Sequence, residues 1–205
     1  MQKFTLLKGV AAPLMLANVD TDVIIRIERL SRLEKGELGP WAFESLRYLP
    51  DGGENPQFLL NQPRWRGAKI LLAAENFGCG SSREMAVWAL WDSGVRCVIA
   101  PSFGDIFYGN CFHNGMLPLC LPAAEVQAIA AEVRSGGSEI TVDLAQQQVL
   151  TAAGRRFSFD IEPGRRKALL QGLDAIGVTL SYAGDIERFQ ARDRSERPWL
   201  YRVVV

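Results

Sequence analysis

The chain has 205 residues, 48% of them hydrophobic, which suits one globular domain with a sizeable core. Lys and Arg together number 23, as do Asp and Glu, so no overall charge attracts nucleic acid or an anionic membrane. The apolar runs are strand-length, short of the ~20 residues that span a membrane, and the N-terminus lacks the apolar segment of a signal peptide. We therefore expect a cytoplasmic protein without a membrane or nucleic-acid partner.

Predicted strands and helices alternate through the first two thirds of the chain. Apolar runs predict four strands, at residues 4–10, 69–74, 96–100 and 117–121. Helical periodicity and end signals predict three helices, at residues 85–91, 105–113 and 122–134. Strand–helix–strand order of this kind predicts parallel β-α-β units, which bind ligands at the carboxyl ends of their strands.

The remaining segments add an excursion and an antiparallel region. Residues 31–63 are rich in Gly, Pro and charge and are long for a connection, which favours a lid or binding loop near the active site. After residue 135 the pattern predicts three short strands and two helices, at 139–144, 148–151, 156–161, 165–173 and 185–192. The expected fold is α/β, a single domain over residues 1–205 with central parallel units and antiparallel strands added late.

The most informative stretch is Asn-Phe-Gly-Cys-Gly-Ser-Ser-Arg-Glu at residues 76–84, between a predicted strand and a predicted helix. Gly78 and Gly80 let the backbone turn sharply and approach a ligand closely. Ser81, Ser82 and Arg83 then lie near the unpaired N–H groups at the start of the helix, which suits a carboxylate or an oxyanion. A capping box formed by Ser81 and Glu84 is the structural alternative.

Other chemistries fit this loop poorly. It lacks the lysine of a phosphate-binding P-loop, the third glycine of a dinucleotide fingerprint and the Gly-x-Ser-x-Gly spacing of a hydrolase. The chain has one histidine, His113, so a Ser-His-Asp triad would have to use this residue, which makes such a triad a poor fit. Its four cysteines lack metal-ligand spacing, and Cys97 and Cys120 fall in apolar runs, which predicts core positions. We expect no metal or cofactor bound by this chain itself.

Residues 76–84 resemble the signature of the swivelling domain of the aconitase superfamily. Three more stretches, in the same order, are similar to the family of 3-isopropylmalate dehydratase small subunits, at residues 18–25, 99–110 and 172–180. The resemblance implies an aconitase-type swivelling β/β/α domain. It also implies a hydro-lyase of leucine biosynthesis, which converts 2-isopropylmalate to 3-isopropylmalate by dehydration and rehydration.

The family also implies roles for particular residues. Ser81 occupies the place of the catalytic base, acting as an alkoxide, and Ser82 and Arg83 the place of groups that bind the carboxylate of a hydroxy-dicarboxylate substrate. In this family a separate large subunit holds a [4Fe–4S] cluster, and its active site is completed by the small subunit. Arg32 is a further candidate for substrate contact, with a solvated surface arginine as the alternative. Asp20 and Asp22 are expected to orient the loop or to form Asx turns and caps.

Two departures from the family pattern leave the substrate open. Met85 stands where these proteins commonly have His, and Arg26 where they commonly have Pro. A paralogous dehydratase for a dimethylmalate, methylmalate or homoaconitate-type substrate is therefore an alternative. A non-catalytic binding module that kept the fold is a third.

Overall fold

The computed structural model describes residues 1–201, in which seven strands form one mixed sheet. In chain order the strands are β1 (Leu6–Pro13), β2 (Ile70–Leu72), β3 (Cys97–Ala100), β4 (Leu117–Cys120), β5 (Glu139–Asp143), β6 (Gln148–Leu150) and β7 (Arg156–Ser158). Their order across the sheet is β4-β3-β2-β1-β5-β6-β7. Strands β1 to β4 pair in parallel, whereas β1, β5, β6 and β7 pair antiparallel, so the predicted fold class is confirmed.

Strand β1 belongs to both halves of the sheet. Its first residues pair with β5, where Leu6 lies opposite Asp143, and its last residues pair with β2, where Pro13 lies opposite Leu72. Every residue of β2 and β3 is buried, as expected for parallel strands covered on both faces. The parallel strands therefore all end at one edge of a rigid, buried layer.

Nine α-helices are present in residues 1–201, and the three helices predicted at residues 85–91, 105–113 and 122–134 are confirmed. The helices are α1 (Thr21–Ile24), α2 (Ile27–Leu30), α3 (Glu44–Arg47), α4 (Met85–Asp92), α5 (Asp105–His113), α6 (Ala123–Ser135), α7 (Pro163–Gln171), α8 (Ala175–Leu180) and α9 (Ala183–Glu196). Helix α6 buries the predicted stripe of Val126, Ile129, Ala130 and Val133. The sequence predicted some helix within residues 31–63, where α3 lies, but no bounds for it, and it did not predict α1, α2 or α8.

Several predicted boundaries in the C-terminal third were wrong, and the helix predicted at 185–192 spans Ala183–Glu196. The helix predicted from residue 165 begins at Pro163, because the Glu162 carboxylate accepts hydrogen bonds from the N–H groups of Gly164 and Arg165 at 2.7 and 2.8 Å. The strand predicted to reach residue 161 ends at Ser158.

Segment 31–63 packs closely over α1 and α4. Its Leu38 and Phe43 are fully buried, and the Phe43 N–H donates to the Ile24 carbonyl at 2.8 Å. The Asp92 carboxylate at the end of α4 accepts from the N–H groups of Gly36 and Leu38 at 2.7 and 3.1 Å. Residues 31–63 therefore form a packed layer that contributes buried side chains to the core.

The C-terminal helices are much less covered than the rest of the molecule. Large apolar side chains on and just after α8 lie in solvent, with Ile176 71% and Leu180 66% exposed. Tyr182 and, on α9, Phe189 are also exposed. No helix among residues 1–201 has both the length and the apolar character needed to cross a membrane.

Candidate active site

Three loops meet at the carboxyl edge of the parallel strands: residues 14–20 after β1, 73–84 after β2 and 101–104 after β3. The N–H of Gly78 donates to the Val19 carbonyl at 2.7 Å, and the N–H of Phe77 donates to the Ser102 carbonyl at 3.1 Å. The glycine loop therefore lies between the other two loops, at the strand ends where the β-α-β pattern predicted it.

The two glycines of this loop are required by its geometry. Gly78 has φ of +74°, and a Cβ at this position would lie 2.2 Å from the ring of Phe107 on α5. Gly80 has φ of +91°, and its ideal Cβ would lie 3.3 Å from the Asp20 Cβ. Positive φ and these close approaches together favour residues without a side chain, which is the loop-shaping role predicted for both.

Asp20, just before α1, and Asp22, within α1, both have defined contacts. The Asp20 carboxylate caps α1 by accepting a hydrogen bond from the Val23 N–H at 2.8 Å. The Asp22 carboxylate forms an ion pair with the Arg83 guanidinium. Asp20 therefore fixes the start of α1, and Asp22 joins that helix to the glycine loop.

Ser81 is exposed, and its hydroxyl points back to α1. Its Oγ lies 2.8 Å from the Oγ1 of Thr21, and its N–H donates to the same Thr21 oxygen at 3.3 Å. Helix α4 has Glu84 as its N-cap, and that residue makes no side-chain capping bond. The capping-box alternative was therefore wrong, because the Ser81 hydroxyl bonds Thr21 and does not cap α4.

The other predicted ligand-binding residues divide into two groups. Ser82 is exposed beside Ser81, and Arg83 uses Nη1 for Asp22 while its side chain stays 21% exposed. Arg32 is exposed in the turn after α2, where it lines a cavity of about 230 Å³ with Arg26 and Glu44. The structure thus brings Ser81, Ser82 and Arg83 together, and within residues 1–201 no hydrogen bond or ion pair joins Arg32 to them.

Asn114 supports the start of α4, a role that sequence reasoning missed. Its side-chain amide donates to the Glu84 carboxylate at 2.7 Å, and its Oδ1 accepts from Trp88 Nε1 at 2.9 Å and Lys35 Nζ at 3.0 Å. The sequence predicted only that Asn114 and Gly115 end a helix. Nothing local signals that its side chain bridges three distant residues.

The cysteines do not form a metal site in residues 1–201, which contain no group of three or more His, Cys, Asp or Glu side chains able to hold a metal ion. Burial raises the pKa of the Cys97 and Cys111 thiols, so both remain protonated. The predicted core position of Cys120 was wrong, since it is exposed at the end of β4. His113 is exposed at the end of α5, beside a cavity of about 360 Å³ between α5 and α7.

A cavity of about 710 Å³ lies beside α2 and α3, apart from the Ser81 loop, and is lined in part by Arg29, Trp41 and Glu44. The Arg29 guanidinium donates to both Glu44 oxygens, at 2.9 and 2.5 Å, and these hydrogen bonds hold the pKa of Glu44 below its usual value. Ser81 and Ser82, by contrast, stand on open surface. The candidate site is therefore open to solvent: its two serine hydroxyls lie at the protein surface and outside this cavity.

A mixed sheet with a Gly-Cys-Gly-Ser-Ser-Arg loop at its parallel edge defines an aconitase-type domain. The family model described as the aconitase C-terminal domain matches residues 1–124. A model described as LeuD_N matches residues 127–163, and one described as the C-terminal domain of the 3-isopropylmalate dehydratase small subunit matches residues 176–203.

Full-length relatives narrow this class to one family. The 3-isopropylmalate dehydratase small subunit of Gluconacetobacter diazotrophicus is 50% identical, with all of both chains covered. That of Paracoccus denitrificans is 48% identical over 98% of this chain and all of its own. A crystal structure of 3-isopropylmalate dehydratase (leuD) from Methanocaldococcus jannaschii is 26% identical, with a TM-score of 0.66 over 90% of this chain and 99% of its own. The chain belongs to the family of 3-isopropylmalate dehydratase small subunits.

Proposed function

We propose that this chain is the small subunit of a hydro-lyase that converts 2-isopropylmalate to 3-isopropylmalate in cytoplasmic leucine biosynthesis. The observation that carries the proposal is the placement of the Ser81 hydroxyl and the Arg83 guanidinium on one exposed glycine loop at the carboxyl edge of the sheet. Full-length identity of about half to proteins of this name supports the same activity.

In this function Ser81 acts as the base. Its Oγ, as an alkoxide, accepts a carbon-bound proton of the substrate and becomes a hydroxyl. Such a proton is weakly acidic and an alkoxide is unstable at neutral pH, so both need electrostatic stabilisation. The Arg83 guanidinium, two residues further along the exposed loop, supplies positive charge on the same surface.

Ser82 and Arg83 bind a carboxylate of the substrate. Arg83 engages Asp22 through one nitrogen, and within residues 1–201 its Nε and Nη2 donors have no protein partner. A guanidinium can hold a carboxylate through two parallel hydrogen bonds, which fixes the orientation of the substrate as well as its position. The exposed Ser82 hydroxyl adds one donor beside it.

A second protein chain completes the site. Because Ser81 and Ser82 stand on open surface, this chain alone cannot exclude water from a reacting substrate. The exposed apolar side chains of α8 and α9 are typical of a surface that another protein covers. The partner is the large subunit, and its [4Fe–4S] cluster supplies a Lewis acid for the departing hydroxyl.

One observation favours a related substrate as the second candidate function. Met85, which replaces the common His, is the first residue of α4 and lies two residues after Arg83. A change of size and polarity beside the carboxylate site suits another branched malate, of the dimethylmalate, methylmalate or homoaconitate type.

Reconstitution tests both candidates. The purified chain, a large subunit loaded with its cluster, and the mixture of the two are each assayed against 2-isopropylmalate and the three other diacids. We expect turnover of 2-isopropylmalate in the mixture alone. Preference for another diacid would support the paralogous function, whereas turnover by this chain without partner or iron would contradict both.

A further inference from the structure

The Ser81 hydroxyl is in hydrogen-bond contact with the hydroxyl of Thr21. Thr21 is 1% exposed, and its Oγ1 lies 2.8 Å from the Ser81 Oγ. The same Oγ1 accepts a hydrogen bond from the Ser81 N–H at 3.3 Å. One buried hydroxyl therefore contacts both the backbone and the side chain of the serine on which the proposed function depends.

The position of Thr21 is fixed by the backbone as well. Its N–H donates to the Cys79 carbonyl at 3.0 Å, in a parallel bridge that pairs Asp20 with Cys79. Asp20 caps the turn of α1 in which Thr21 is the first residue. Thr21 thus cannot leave Ser81 without breaking the junction between the two loops, and its hydroxyl is held ready in one place.

The direction of the hydroxyl contact follows from the charge on Ser81. While Ser81 is neutral, either hydroxyl can donate to the other. Once Ser81 is an alkoxide it has no proton left, so only Thr21 can donate. A hydrogen bond to an ionised acceptor is stronger than one between neutral groups. This contact therefore favours the deprotonated form of Ser81 over the protonated form.

We propose that Thr21 is a positioning residue for catalysis: it holds the Ser81 side chain in one orientation and donates its hydroxyl hydrogen to the Ser81 alkoxide. This inference rests on the proposed role of Ser81 as base. No proton is transferred from Thr21, which keeps its hydrogen through the reaction. The carbon-bound proton of the substrate passes to Ser81 alone.

The elements around Ser81 also carry charged and titratable groups. The glycine loop carries the Cys79 thiol, Arg83 and Glu84. Asp20 precedes α1 and Asp22 lies within it. Helix α5 carries Asp105 in its first turn. Asp20 is occupied by the Val23 N–H, Asp22 by Arg83, and Glu84 by Asn114. Each of these groups is unchanged by a substitution that removes only the Thr21 hydroxyl.

The test compares Thr21→Val, which keeps the shape and loses the hydroxyl, with Thr21→Ser, which keeps the hydroxyl. Both are assembled with the large subunit, and kcat is measured against pH. Activity requires deprotonated Ser81, so kcat rises as pH passes through its pKa in the complex. Losing a donor to the anion raises that pKa, so the rise should move up by about one to two pH units in Thr21→Val. At neutral pH kcat should fall roughly ten- to a hundred-fold with KM little changed, and Thr21→Ser should behave as wild type.

Two further variants distinguish an effect of the Thr21 hydroxyl from a folding defect and from a failure of the proposed role of Ser81. Thr21→Ala is measured in the same way if Thr21→Val does not assemble, and the same shift is expected. In a Ser81→Ala background, Thr21→Val should slow residual turnover no further, because its effect passes through Ser81. An unmoved pH profile in a folded Thr21 variant, or an undiminished effect without Ser81, would overturn the role of Thr21. Near-normal turnover in Ser81→Ala alone would instead overturn the role of Ser81 as base.

Discussion

The Arg83 guanidinium forms an ion pair with the Asp22 carboxylate across the junction of the glycine loop and α1. Arg83 is mostly covered, with 21% of its side chain exposed, whereas 58% of the Asp22 side chain is exposed. The free chain therefore already holds its proposed carboxylate-binding group in place. The ion pair sets the orientation of the guanidinium before any ligand arrives, and the proposed substrate carboxylate would bind to the Arg83 donors that Asp22 does not use.

Replacing Arg83 by Lys tests this clamp. Lysine keeps the positive charge but loses the planar fork, so it cannot hold a carboxylate through two parallel bonds. We expect kcat/KM of the assembled pair to fall roughly ten- to a hundred-fold, the equivalent of about 1.5–3 kcal/mol. Arg156→Lys, an exposed change on β7, is the matched control and should leave kcat/KM as it is. Equal kcat/KM in the two variants would show that Arg83 is structural.

Ser81→Ala separates the proposed base from a structural hydroxyl. The lost hydrogen bond to Thr21 should cost about 1 kcal/mol of stability, which lowers the melting temperature by about 2–4 °C. Loss of the base should lower kcat by roughly 10²–10⁴-fold. A thermal melt and a rate measurement on the same assembled sample distinguish the two effects. Ser135→Ala, at the end of α6, is the control, and a rate matching that control would move the base to Ser82 or to the partner.

Gly78→Ala should destabilise the fold far more than Gly94→Ala. Both glycines have positive φ, so both substitutions carry backbone strain of about 1–3 kcal/mol. Only at Gly78 would the new Cβ overlap the Phe107 ring, whereas nothing lies within 4 Å at Gly94. Overpacking adds about 1–3 kcal/mol to the cost at Gly78. Urea unfolding of the isolated chain measures the difference, and equal losses would mean that Phe107 moves aside freely.

The sequence predicted the features that depend on the local pattern of apolar residues and glycines. Helix α6 shows its buried stripe at the required spacing, and the glycine loop lies between a strand and a helix as expected. The one-turn helices α1 and α3 could not be located from the sequence because four residues are too few to show a helical period. Helix α8 escaped because it is only six residues long, contains Gly177 and buries none of its residues, so it shows no apolar stripe.

Side-chain contacts between distant segments could not be predicted. Asp20 and Asp22 stood out through family resemblance, yet which would cap α1 and which would pair with Arg83 depended on the geometry of the junction. The bonds of Asn114 to Glu84 and Trp88 span 30 and 26 residues. Such contacts follow from the tertiary fold, and residue type alone does not reveal them.

The site depends on residues far apart along the chain, and this affects when it forms during folding. Thr21 and Ser81 are 60 residues apart in sequence, and they meet because β1 and β2 pair in parallel. Non-local pairing of this kind closes a long loop and forms slowly. A chain emerging from synthesis therefore forms the contact between Thr21 and Ser81 only after the central sheet has closed. The proposed active site is in this sense completed late in folding.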